Sequence, residues 1–522
     1  MISRAAFAPR WADLALVPLI AGVVARFWHW GHDRPLWLDE QMIAINLRDA
    51  GGFRGLAGPL LHHQSAPLGW LWAERVFLLV FGSDERVLRL LPLLFSVGTL
   101  VVVWLVVRHW FGPAGALAAG LLFGLAPSLI RYAAELKQYS ADGFCALALI
   151  ALAAWAVEHP RWMPAWWLAA AAASWLSMDA ILITPGLAVV LLAAAWRREG
   201  WKAALRAAYF GPVWVAAAAL HYLVSLRYTT GEPHLRPWWQ ARGGFPNGSL
   251  WSWLVDRPDG LGRDPLSLPE GPVTTGFWLL VLAGLIVLLA RRTIFGLLLA
   301  APLATGLVLG AAHTVPLASR LAIWLLPSLF LAVAAAAEAL AVLAVAVPRA
   351  RIPAAAGLLV VAIGAGFALE PQVRYAWNPP RIVDGVDDRA AMRWLTARHQ
   401  PGDLVLVSVS SIPAVRWYSS MDELRPGSFV RAVQPGPDCS PDSLIKALAG
   451  HDRVLMYSGI RTNPATPAVM EGRLAEQGRI VERRDFRAGV LWLVELHAPV
   501  PPAPALPGVK TSCLQLSPFG KR

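Results

Sequence analysis

Long apolar runs separated by short polar segments dominate the first 370 residues. They cover 14–27, 88–107, 114–130, 141–157, 163–178, 180–196, 208–226, 276–290, 294–312, 321–347 and 353–369. A helix needs about 20 mostly apolar residues to cross the hydrocarbon core, so these runs predict about eleven spans. Arg26 and the cluster Phe27-Trp28-His29-Trp30 do not resemble a small-residue cleavage site, which makes the first run an uncleaved anchor. The pattern changes after Glu370. Residues 384–398 read as an amphipathic helix with Ala391, Trp394 and Leu395 on one face. Leu404–Ser408, Arg453–Tyr457 and Val490–Leu496 read as strands, with a helix over Thr466–Gln477. The expected fold is thus a polytopic α-helical membrane domain over 1–370 and a small extracytoplasmic α/β domain over 371–498. A Pro-rich tail follows over 499–522.

Composition supports the membrane assignment. Of 522 residues 57% are hydrophobic and 15% charged, and the mean hydropathy is +0.50. A soluble domain is nearer half apolar and a quarter charged, so a soluble enzyme, a disordered chain and a fibrous protein are excluded. The net charge of +12 has its first explanation in cytoplasmic loops rather than in nucleic-acid binding. With the N-terminus inside, the inner segments carry Arg4 and Arg10, Arg108, Arg161, Arg197, Arg198, Lys202 and Arg206, Arg291 and Arg292, and Arg349 and Arg351. Residues 29–87, 131–140, 227–275, 313–320 and everything after 370 then lie outside. Counting 67–82 as a span would reverse every later loop. With Glu74 and Arg75 in its middle, it reads as a helix at the membrane surface within the first outer loop. Three cysteines, Cys145, Cys439 and Cys513, make neither a disulfide scaffold nor a zinc ribbon; Cys439 and Cys513 could pair in an oxidising compartment.

Four outer segments carry candidate chemistry. Trp37-Leu38-Asp39-Glu40 places two carboxylates just beyond the first span, suited to accepting a proton from a hydroxyl. An N-cap at Asp39 for a helix over Gln41–Leu47 is the plainer alternative. Residues 131–142 hold Arg131, Glu135, Lys137, Gln138, Tyr139 and Asp142 between two apolar runs. On a helix, Glu135, Gln138, Tyr139 and Asp142 would share a face, and Lys137 suits a phosphate. A polar cap between spans is the alternative. His313 to Arg320 places Arg320 at the start of a span, where it would grip a substrate phosphate or an ordinary lipid headgroup. His62-His63-Gln64 precedes the surface helix. No third ligand at zinc spacing accompanies the paired histidines, so a polar contact from His63 is favoured over a metal. His221, Asp179 and Glu338, in or near spans, read as structural.

Taken in order, these segments resemble the glycosyltransferase C superfamily, in particular its family-39-like branch of bacterial relatives of protein mannosyltransferases and aminoarabinose transferases. The residues behind the resemblance are Trp37-Leu38-Asp39-Glu40, His63-Gln64-Ser65-Ala66-Pro67-Leu68, the run Phe81 to Pro92, Trp110-Phe111-Gly112, then Tyr132, Glu135, Lys137 and Tyr139, and Pro316 to Arg320 followed by Pro327. Ser65-Ala66-Pro67 departs from the double proline common in such proteins. The resemblance implies a sugar donor linked through phosphate to a polyprenyl lipid and transfer on the outer face of the plasma membrane. It implies an acceptor hydroxyl on a glycan, lipid or protein, and no bound metal or other cofactor. Asp39 is then the expected general base, with Glu40 orienting or binding the acceptor. Lys137, Arg131 and Arg320 are expected on the donor phosphate, and His63, Glu135, Tyr139, Asp142 and His313 on substrate. No Gly-rich nucleotide loop appears, which fits a donor other than a nucleotide sugar. Two other classes stay open: a lipid or sugar transporter or flippase, for which no paired interrupted spans are evident, and a sensor whose outer domain binds a ligand.

Overall fold

The computed structural model describes residues 13–228, 235–347, 351–380, 386–418, 429–433, 448, 450–459, 466–487, 489–497 and 514–515. Among these, seven helices are long and apolar enough to cross a membrane: Asp13–Gly31, Leu90–Trp110, Tyr139–Glu158, Met178–Glu199, Pro272–Arg291, Thr293–Ala311 and Ser319–Ala346. Two further runs form bent pairs, Pro113–Leu125 with Pro127–Ala133 at 48° and Trp201–Ala208 with Gly211–Val224 at 41°, which raises the number to nine. Of the eleven expected spans, the remaining two are 163–178, a helix of 14 residues at Met163–Leu176, and 353–369, inside the helix Arg351–Trp377. The segment 67–82 is a 14-residue helix, Leu68–Phe81. At 1.5 Å per residue it is about 21 Å long, short of the ~30 Å core.

The chain groups into two units. One comprises Met1–His32 and Ala50–Pro379, the other Asp33–Asp49 and Pro380–Arg522. The boundary expected at 370 therefore falls inside the Arg351–Trp377 helix, which continues past Glu370 with Pro371 in its interior. Residues 33–49, expected with the membrane domain, belong to the other unit.

In the membrane unit, the first span packs tightly on the bent pair. A Cβ on Gly22 would lie 2.6 Å from Gly124 Cα, and one on Gly124 would lie 2.4 Å from the Pro18 carbonyl oxygen. Only glycine permits this approach. Pro127 has no N–H, so the Phe123 carbonyl loses its helical donor at the bend. Arg26, fully buried, supplies one: its Nη2 donates to Phe123 O at 2.9 Å. Its Nη1 donates to Gly124 O and Gly22 O, each at 2.9 Å, and its Nε to Ser96 Oγ at 2.7 Å.

The segments expected on the inner side meet one another. The Trp110 ring stacks on Phe295 at 5.5 Å, and its Nε1 donates to Glu158 at 3.0 Å. Arg292 donates to the Trp110 carbonyl at 2.6 Å, and Arg198 to Val157 O at 2.5 Å. Glu338 accepts from the Gly115 N–H at 2.9 Å, a carboxylate at the N-terminus of the Pro113–Leu125 helix.

The second unit is a six-stranded sheet in the order β4-β5-β3-β1-β2-β6, with β1 Leu404–Ser408, β2 Phe429–Val433, β3 Arg453–Ser458, β4 Gly478–Phe486, β5 Gly489–Leu496 and β6 Leu514–Gln515. β1 pairs in parallel with both β2 and β3, and the remaining pairs are antiparallel. The continuous apolar run of β1 places it in the middle. Val405 and Val407 face a core with Ala391, Trp394 and Leu395 from the helix Asp388–Arg398. Leu404 and Leu406 face Met470 and Leu474 from the helix Thr466–Gln477. β4, rich in Arg and Glu, is an edge, where charge discourages further pairing. The tail 499–522, apart from β6, and both Cys439 and Cys513 lie outside the described residues.

Arg26→Leu is expected to strip the Phe123 and Gly124 carbonyls of these donors, at about 1–3 kcal/mol each. The thermal unfolding midpoint in detergent should fall clearly, with Arg26→Lys between the two; an unchanged midpoint would count against this role.

Candidate functional site

The residues singled out by sequence separate into one group on each unit. In the membrane unit, the helix Pro127–Ala133 ends, residues 134–138 turn without helical structure, and Tyr139–Glu158 begins. Ser140 Oγ donates to the Tyr132 carbonyl at 2.8 Å and closes the turn. The continuous helical face expected for Glu135, Gln138, Tyr139 and Asp142 therefore does not exist. Asp142 instead accepts from Ser177 Oγ at 2.6 Å, and Ser177 caps the Met178–Glu199 helix through the Ala180 N–H at 3.3 Å. Its described bonding links two spans.

The turn gathers charges. Arg131 Nε donates to Glu135 Oε2 at 3.2 Å, with Glu135 fully buried. Lys137 Nζ, itself buried, donates to Gln64 Oε1 at 2.7 Å, joining the segment before the Leu68–Phe81 helix to this turn. Arg131 lies over the Tyr132 ring, Tyr132 meets Tyr139 edge-on at 5.0 Å, and Arg320 lies 5.9 Å from the Tyr139 ring and 5.7 Å from Trp239. Aromatic faces hold a guanidinium without neutralising it. Three expected phosphate ligands thus share one neighbourhood, with Glu135 as the paired carboxylate in it. Sequence reading did not assign Gln64, Tyr132 or Trp239 to the site. No spacing signal links Trp239 or Gln64 to residues so distant in the chain.

Backbone strain lies in the same loops. His62, His63, His313 and Ser319 adopt positive φ of 60°, 52°, 57° and 52°, a conformation that side chains disfavour and that clusters at functional segments. His63 is exposed. His313 is stacked on Phe245, with Nε2 3.0 Å from the Pro246 carbonyl; these described partners differ from those of Arg320. Among the described residues no three His, Cys, Asp or Glu side chains are grouped to hold a metal.

His221 has a structural task. Its Nδ1 lies 2.7 Å from the Ser174 carbonyl, and its Nε2 accepts the Leu68 N–H at 3.1 Å. This pattern fits the Nδ1-protonated tautomer, assigned from its partners. The ring, stacked on Trp175 at 5.1 Å, caps the Leu68–Phe81 helix, whose N-cap residue Pro67 offers no capping side chain.

On the other unit, the helix Leu38–Asp49 carries the acidic pair. Glu40, fully buried, accepts the Trp37 N–H at 3.2 Å, the reciprocal half of a capping box. The expected alternative of a cap at Asp39 is thus replaced by one from Glu40. Asp39 is half-buried.

Residues 65–225 match the family model described as dolichyl-phosphate-mannose-protein mannosyltransferase. No curated protein matches the chain. Among solved structures, ArnT from Cupriavidus metallidurans in the apo state is similar with 16% identity and a TM-score of 0.54, covering 92% of this chain and 97% of that chain. ArnT bound to undecaprenyl phosphate gives 15% identity and 0.56 over the same shares. The archaeal oligosaccharyltransferase AglB from Archaeoglobus fulgidus, in complex with an inhibitory peptide and a dolichol-phosphate, gives 12% and 0.51, covering 85% of this chain and 69% of that one. The likeness to these structures is one of fold. The family match over residues 65–225 and this likeness of fold agree with the resemblance read from the motifs.

His221→Phe keeps the stack on Trp175 and removes both hydrogen bonds. Amide exchange at Leu68 and the start of its helix should accelerate by about tenfold or more, the equivalent of ~1.4 kcal/mol; protection equal to the unaltered protein would argue against the cap.

Proposed function

We propose that the protein moves a sugar from a polyprenyl-phosphate donor to an acceptor hydroxyl at the outer face of the plasma membrane. The observation that carries this reading is the gathering of Lys137, Arg131 and Arg320 in one neighbourhood of a chain whose fold is that of ArnT, a protein solved with undecaprenyl phosphate bound. The N-terminus is cytoplasmic in this reading, supported by the basic residues Arg108, Arg161, Arg197, Arg198, Lys202, Arg206, Arg291 and Arg292 in alternate loops.

The chemistry is a single displacement. Asp39 takes the proton of the acceptor hydroxyl, whose oxygen forms the new bond to the anomeric carbon. The bond from that carbon to the phosphate oxygen breaks, and the lipid phosphate leaves with the electron pair. Attack opposite the leaving group inverts the anomeric centre. Charge grows on the phosphate as the bond breaks, and Lys137, Arg131 and Arg320 are the groups that stabilise it. Glu40 orients the acid beside it by holding the start of the helix. His63, Glu135, Tyr139, Asp142 and His313 remain proposed substrate contacts; the Ser177 bond of Asp142 and the Pro246 contact of His313 make these two the weaker candidates.

Transfer is measured with a panel of polyprenyl-phosphate sugars, with products identified by mass spectrometry. Asp39→Asn should keep membrane insertion and thermal stability while the rate falls by about 10²–10⁴; full activity in this variant excludes Asp39 as the base. Lys137→Met should raise the donor KM by about 10- to 100-fold, the worth of one lost charged hydrogen bond, and leave the acceptor KM near its original value.

A further inference from the structure

We infer that the C-terminal α/β domain is a positioning device for Asp39, acting through a buried anchor in which Asp388 holds Gln41. The inference rests on the reading of Asp39 as the base and adds the task of the second unit. Residues 33–49 lie more than 300 positions before Pro380 in the chain, yet they group with it. In the anchor, Asp388 Oδ2 accepts from Gln41 Nε2 at 2.7 Å, and its Oδ1 accepts from the Tyr457 hydroxyl. Gln41 is fully buried, Asp388 is 5% exposed and Tyr457 is fully buried.

The anchor sits at a particular place in the sheet. β1 has β2 on one side and β3 on the other, both parallel to it; the connection leaving β1 runs to one side and that leaving β3 to the other, so the strand order reverses between them. Open sheets of this kind bind ligands beyond the carboxyl ends of the strands at such a reversal. Here the carboxyl end of β3 supplies Tyr457. The carboxyl end of β1 leads into Ser411, whose Oγ accepts the Gly459 N–H at 2.8 Å. The same neighbourhood receives the chain's own helix through Asp388 and Gln41.

Helical geometry turns this anchor into an orientation. Asp39 and Gln41 are two residues apart on one helix, and at about 100° per residue their side chains diverge by about 200°. Burying Gln41 against Asp388 therefore turns Asp39 away from the anchor, which agrees with its half-buried state. Further contacts suppress rotation and sliding. Tyr418 Oη accepts the Leu36 N–H at 2.7 Å, Arg389 pairs with Asp33 at 3.1 Å, and Arg416 pairs with Asp49 at 3.0 Å. Arg48 adds a bond to the Arg416 carbonyl at 2.7 Å. Burial pushes the Asp388 carboxyl above the usual carboxylate range, with the Tyr457 and Gln41 bonds opposing it. Asp388 is a positioning residue, since it acts through Gln41.

The test uses the full chain in detergent and two readouts. Amide exchange over 38–49, which needs no activity, should accelerate about tenfold or more in Asp388→Ala and in Gln41→Ala. It should stay near the original in Asp388→Asn, whose carbonyl still accepts from Tyr457 and whose amide reaches Gln41 Oε1. Transfer should show kcat down by about 10- to 100-fold with donor KM within about twofold. The double variant should be no slower than the slower single one, and Asp388→Asn should be largely active. Where Asp388→Ala does not fold, Tyr457→Phe removes only the hydroxyl and should move both readouts in the same direction. Unchanged exchange in Gln41→Ala and Tyr457→Phe overturns the anchor. Altered exchange with unchanged kcat overturns the positioning role. An unaltered protein that transfers no sugar while exchange responds overturns the transfer reading and leaves the anchor standing.

Discussion

A bilayer offers no water to backbone groups, so every carbonyl released by a break in a span needs a donor from the protein. This constraint organises the membrane unit. Pro127 ends one helical segment and releases the Phe123 carbonyl, and the guanidinium of Arg26 meets it together with Gly124 O, Gly22 O and Ser96 Oγ. An arginine in a span is costly unless it is this fully bonded. Gly22 and Gly124 let the two helices approach closely enough for the arrangement. The bend redirects the chain into the helix Pro127–Ala133, which carries Arg131, and the turn bearing Glu135 and Lys137 follows it.

The same reliance on long-range partners recurs at the helix Leu68–Phe81. Its N-cap residue lacks a capping side chain, and a histidine from a distant span completes it. Gln64, four residues before that helix, bonds Lys137. The segment 64–68 is therefore held at two points, by the Leu68 N–H on His221 and by Gln64 on Lys137 beside the proposed phosphate site. His62 and His63, both at positive φ, directly precede Gln64.

The acid and the cations proposed for catalysis belong to different units by chain grouping. Each is held by its own internal logic. The cations are held by a carboxylate, an amide and aromatic rings. The acid is held by a helix whose start Glu40 caps and whose rotation Gln41 sets. Buried polar groups bonded to one another specify one arrangement more sharply than apolar packing does, and each unit has such a pair, Lys137 with Gln64 in one and Gln41 with Asp388 in the other.

Much of this was legible in the sequence. Apolar run length found the long spans, because covering a hydrocarbon core is a local, one-dimensional requirement. Continuous apolar and alternating runs found β1, β3, β5 and the two helices that flank the sheet. The ordered motifs carried the resemblance, with which the fold and the family match over residues 65–225 agree. What failed was decided at a distance. Glu135, Gln138, Tyr139 and Asp142 have helical spacing, but Ser140 closes a turn on Tyr132 and Asp142 is bonded to Ser177, which periodicity does not register. Asp39 and Glu40 read as an equivalent pair until folding buried one and left the other half-exposed. The assignment of 33–49 to the C-terminal unit has no local signal, because its partners, among them Asp388 for Gln41 across 347 positions, are distant in the chain. Local patterning determined which segments are apolar helices and strands, since hydrophobic burial acts on each segment by itself. Which polar side chain faces which was settled only by tertiary structure, because a buried hydrogen bond needs both partners in place.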